Sequence, residues 1–135
     1  MSNIDRIRAH KGPVVIDIET PGQVDPYAPN AKVLMIGVAL APTEAYVFST
    51  EDGIEPLLEV LKDKPLIAHN AKFERNWLRK AYGFEGYFIA DTMLLSHYVN
   101  EKQPTGLETL AQEFFDAPPY GQDIDYINEP WESYA

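Results

Sequence analysis

Residues 14–20 read Val-Val-Ile-Asp-Ile-Glu-Thr, a β-branched apolar run that carries two acids two positions apart. Side chains alternate along a strand, so Asp17 and Glu19 point to one face. Val14, Val15, Ile16 and Ile18 around them mark the strand as central and buried. Two like charges facing one way in apolar surroundings repel each other and are costly to desolvate. A divalent cation relieves both costs, and carboxylate oxygens suit Mg2+ or Mn2+. The plainer alternative puts the pair at a strand end in solvent. The loop that follows at Pro21-Gly22 tips the balance towards ligation, because ligands gather at strand ends in sheets of this kind.

The rest of the chain supplies a sheet and helices around that strand. Residues 20–31 hold three prolines and read as a loop. Residues 32–40 and 45–49 are apolar strand segments, and the short link at residues 41–44 predicts a hairpin. Ile54, Leu57, Leu58 and Leu61 recur at helical spacing after Asp52-Gly53. Residues 65–69 predict a fourth strand running directly into Asn70 and a helix to about Tyr82. Phe88 to Ala90 is a short fifth strand, with Asp91 placed to cap a helix through Tyr98; a further helix covers residues 106–115. The tail from Asp116 reads as loop, with a helix start near Pro130. The pattern predicts an α/β fold, a mixed sheet flanked by helices, in a single domain over residues 1–135.

Composition narrows the chemistry. Hydrophobic residues make up 45% of the chain, which suits a packed domain. With no cysteine, disulfides and thiolate sites are excluded, so any metal is held by oxygen or imidazole. No apolar run approaches the roughly 18 residues of a membrane span, and the polar N-terminus has no signal-peptide core. A cytoplasmic chain without a membrane partner is expected. The net charge of −10 argues against a protein that grips long nucleic acid through a basic stripe. An acidic chain can still act on nucleic acid where metal ions screen the site and only a strand end is held.

Three segments then carry a resemblance. Residues 15–20 (VIDIET) resemble the first motif of the DEDD, or DnaQ-like, 3′–5′ exonucleases, and residues 66–78 (LIAHNAKFERNWL) resemble the second. Residues 91–96 (DTMLLS) followed by 106–111 (GLETLA) resemble the segment that comes next in the proofreading domains of family A DNA polymerases. The three stand in the family's order. The resemblance implies an RNase H-like fold that uses four carboxylates to hold two divalent cations, Mg or Mn, and removes nucleotides from a single-stranded DNA 3′ end. It assigns Asp17, Glu19 and Glu74 as metal ligands and catalytic groups, and Thr20, Asn70 and Phe73 as substrate-binding residues.

The chain departs from the family pattern twice. Glu74 stands where the family usually has Asp, one methylene longer. The last motif, Tyr-x-x-x-Asp or His-x-x-x-x-Asp, has no match after Ala111, although Tyr134-Ala135 could begin one. Asp123, Asp125, Glu129 and Glu132 are stand-ins that nothing in the pattern places at a site. The expectation is a domain lacking the final catalytic helix, with the fourth carboxylate off the end of the chain or supplied by a polymerase domain or companion chain. Two alternatives remain open: an RNA 3′ exonuclease of RNase D type, and a non-catalytic RNase H-like binding or structural subunit.

Other residues read as follows. Lys72, Arg75 and Arg79 share one helix face, which either meets phosphate or is simply solvated. Phe73 and Trp77 are expected to anchor the helix to the sheet, His69 and His97 to be structural, and Asp91 to be a cap. Leu107, Leu110 and Phe114 form a predicted core stripe.

Overall fold

The computed structural model describes residues 1–117 apart from 23, 24, 30 and 103. The end of the tail, with the stand-in acids from Asp123 onward and the helix start expected near Pro130, lies outside the described residues. Among these, five strands form one mixed sheet: β1 (Val14–Glu19), β2 (Met35–Ala41), β3 (Glu44–Ser49), β4 (Pro65–Ala68) and β5 (Tyr87–Asp91). Their order across the sheet is β3-β2-β1-β4-β5, so the acidic strand is central as expected. β1 runs antiparallel to β2 and parallel to β4, and β5 forms a parallel edge on β4.

β1 alternates rather than being buried throughout. Val14, Ile16 and Ile18 are buried, while Val15 and Asp17 are exposed and Glu19 half-buried. The helices account for this difference from the sequence expectation. α1 (Asn3–Ala9), α2 (Glu55–Leu61) and α3 (Ala71–Tyr82) all pack on the Ile16 face, where Ile7, Leu57, Leu61, Trp77 and Leu78 join the core. The opposite face meets α4 (Thr92–Val99) and α5 (Leu107–Phe115), of which Leu110 is the one buried side chain. The stripe predicted on α5 is therefore mostly uncovered among the described residues: Leu107 and Phe114 are exposed.

α1 was not expected. Ser2 and Asp5 form a capping box at its start, and Lys64 binds the Arg8 and His10 carbonyls at its end. The helix thus seats Ile7 against the sheet from both termini. Elsewhere the elements follow the pattern closely. Asp91 caps α4 through the Met93 and Leu94 amides, and Gly83 ends α3 in the left-handed conformation.

Candidate carboxylate site

The site arises from an offset between strands. β1 pairs with β4 only at Val14 and Val15, and β4 ends at Ala68. The second half of β1, bearing Asp17 and Glu19, therefore runs beyond β4 alongside the start of α3. Glu74 lies in the first turn of that helix and is buried. On the other flank, Asp17 pairs with Gly37 of β2. Directly opposed residues of an antiparallel pair share a face, so this glycine leaves the space beside Asp17 free of a side chain.

Electrostatics link the three acids through Asp17. Burial pushes the Glu74 carboxyl up to about 8; its own main-chain amide and that of Ile18 pull it down, while Asp17 and Asp91 push it further up. One Glu74 oxygen, Oε2, is buried without a hydrogen-bond partner. Glu19 is raised to about 7, first by desolvation and then by the charge of Asp17. Asp17 is exposed, yet the surrounding groups displace enough water to raise its pKa; His69 and the Ile18 amide act against the shift. Oxygen donors that repel one another, one of them without a partner, suit a hard divalent cation. As they stand, however, no three His, Asp or Glu side chains among the described residues are grouped closely enough to hold a metal.

The remaining predicted residues sit around this centre. Asn70 is the N-cap of α3, held in the left-handed conformation at φ 65°, and its side chain makes no capping bond. Thr20 is buried directly after Glu19. Phe73 is partly exposed and packs at a tilt on Trp77, with ring centroids 6.2 Å apart. Trp77 alone is the buried anchor, so the expectation of a paired anchor holds for only one ring.

His69 is satisfied on both ring nitrogens. A carbonyl can only accept, so Nε2 donates to the Thr105 oxygen at 2.6 Å, and in the neutral ring Nδ1 accepts from the Thr92 hydroxyl at 2.9 Å. The ring ties the segment before α5 to the end of β4, beside Asp17. An apolar groove of about 530 Å3, lined by Val15, Leu95, Val99, Leu107 and Phe114 among others, opens next to it. His97 is exposed on α4 among the described residues. Asp91 is a cap as expected, but of two helices: it also takes the Asn70 and Ala71 amides at the head of α3. Burial raises its pKa and those four amides outweigh the rise, so the group stays below the usual carboxylate range. The double cap has no sequence signal, because it depends on the adjacency of β4 and β5.

A mixed sheet with carboxylates on its central strand and on the helix that follows β4 defines an RNase H-like domain of nuclease type. The DNA polymerase A 3′–5′ exonuclease family matches residues 2–133, and the chain belongs to that family. No curated protein sequence matches. Among solved structures, Brucella melitensis NrnC bound to pGG aligns with a TM-score of 0.71 at 22% identity, covering 96% of this chain and 64% of that one. Escherichia coli RNase D, an exoribonuclease, gives 0.70 at 15% identity, covering 94% and 34%. M. smegmatis Pol1, in complex with DNA primer-template and dNTP, gives 0.66 at 16% identity, covering 89% and 22%. The chain thus spans less than two thirds of the length of each, and the likeness is one of fold. No helix among the described residues is long and apolar enough to cross a membrane.

Proposed function

We propose that this domain is a divalent-metal-dependent 3′–5′ exonuclease acting on the single-stranded 3′ end of DNA. The carrying observation is Glu74, a buried carboxylate with a partnerless oxygen beside the strand end that presents Asp17 and Glu19. Burying a carboxylate with one oxygen left unpartnered is costly, and a cation at that oxygen would offset the cost. Asp17, Glu19 and Glu74 would hold the metal, two Mg2+ or Mn2+ ions on the family pattern. When bound, such ions supply an activated water and neutralise charge developing on the phosphate.

The chain's own groups do the positioning. Asn70 offers an uncommitted carboxamide at the head of α3, and Phe73 offers a partly exposed ring face for the terminal base. Thr20 backs the carboxylate strand, and Gly37 leaves room for the strand end beside Asp17. The fourth carboxylate of the family is proposed to come from outside the described residues or from a companion polymerase domain. Family membership supports DNA. A second reading, an RNA substrate, is favoured by the fold likeness to NrnC bound to pGG and to RNase D.

Matched 3′-labelled DNA and RNA single strands with Mn2+ test both readings. Stepwise shortening of DNA that is lost in Asp17→Ala is expected, and faster shortening of RNA would move the substrate to the second reading. If neither strand is cut and calorimetry finds no Mn2+ binding, the domain is a non-catalytic subunit.

A further inference from the structure

A groove of about 670 Å3 runs between α3 and the edge strand β5, with Lys72, Arg75 and Arg79 on one wall and Phe88, Ile89 and Leu94 opposite. We propose that it is the track for the phosphodiester backbone upstream of the 3′ end, with Lys72 and Arg75 as its phosphate contacts. This inference rests on the exonuclease reading and extends it to the body of the substrate.

Four observations support the assignment. The chain carries a net charge of −10, yet three of its cations line this one groove. The acids nearby are already engaged: Asp91 spends its oxygens on four main-chain amides, and Glu85 is held bidentately by Arg79 at 2.7 and 3.2 Å. Lys72 and Arg75 make no ion pair among the described residues, although Arg75 lies near enough to Glu85 to lower its pKa. They sit one turn apart, roughly 4.5 Å along the helix axis. Finally, the groove begins at Ala71 and Asp91, next to Asn70 and one turn from Glu74. A strand whose end lies at the carboxylates continues naturally into it. Two cations without an ion pair among the described residues, over an apolar floor, fit phosphates with bases turned to the floor.

Fluorescence anisotropy in chelator, where nothing is cut, tests the track. A single-stranded DNA of about ten nucleotides and a dinucleotide are titrated across a salt series. For Lys72→Ser/Arg75→Ser the longer strand should bind more weakly, with a salt slope smaller by about 1.4, since each phosphate contact on a single strand contributes about 0.7. The dinucleotide should be unaffected. Arg8→Ser/Lys62→Ser removes the same charge from exposed ion pairs elsewhere and should leave the slope unchanged. Equal slopes for the two double variants overturn the proposal, as does absence of binding at low salt. Competition by a poly-glutamate peptide as strong as that by the oligonucleotide also overturns it, in favour of an acidic protein partner. Because no step requires metal, failure to degrade DNA with Mn2+ sinks the exonuclease reading separately.

Discussion

The Asp91 carboxylate accepts the Asn70 amide at 2.9 Å and the Ala71 amide at 2.8 Å, while also capping its own helix. One half-buried acid on the edge strand therefore fixes the heads of both α3 and α4, and α3 carries Glu74. Asp91→Ala should lower stability by about 2–3 kcal/mol, more than a single cap, because two helix ends lose their acceptor. Urea unfolding checks this; a loss below about 1 kcal/mol would mean that water replaces the carboxylate at one of the two ends.

Glu74 makes stability depend on pH in an uncommon direction. Its folded pKa, about 8, lies above the unfolded value of 4.5. The folded state binds the proton more tightly, so its contribution is complete below about pH 4.5 and is lost as pH rises through 8. Glu19, raised to about 7, adds a smaller effect of the same sign, reduced by solvent because the group is half exposed. In chelator, thermal unfolding should therefore show a falling melting temperature between pH 5 and pH 8, with Glu74 accounting for up to several kcal/mol. Glu74→Gln should remove most of that slope. Mn2+ should restore stability to the wild type at pH 8 and do little for Glu74→Gln.

Much of this arrangement was legible in the sequence, and the failures share a cause. The Asp17/Glu19 pair, the run from β4 into α3, and Asp91 as a cap all follow from local spacing. Burial on both faces of β1 did not hold, because an apolar run cannot reveal that three helices pack on one side. α1 was not predicted although Ser2 and Asp5 carry a capping-box signal, because a seven-residue helix that buries only Ile7 has too short an apolar stripe to stand out. Gly37 could not be picked out at all. Its importance depends on the register that sets it opposite Asp17, and register is a property of two strands.

Gly37 also separates space from stability. Among the described residues, a Cβ built there meets only the Asp17 carbonyl oxygen, at 3.7 Å, an ordinary contact. Gly37→Val should leave the fold intact, with stability unchanged or higher by about 0.5–1 kcal/mol, because valine favours strands and loses less backbone freedom. Its branched side chain should nonetheless fill the space beside Asp17. We expect a higher KM for a 3′-labelled strand with Mn2+ affinity retained. An unchanged KM would show that the substrate approaches from the β4 side instead.

Asn70 allows the sharpest separation of structure from function. It holds a left-handed backbone at φ 65°, which glycine adopts freely, asparagine tolerates and alanine resists. Its main-chain amide is engaged by Asp91, whereas its side chain caps nothing. Asn70→Gly should therefore leave stability within about 0.5 kcal/mol, while Asn70→Ala should cost about 1 kcal/mol through backbone strain. If the carboxamide positions the strand end, both variants should lose activity by about tenfold or more, regardless of their different stabilities. Activity that instead tracked stability, with Asn70→Gly as active as the wild type, would reduce Asn70 to a turn residue and remove it from the substrate-binding set.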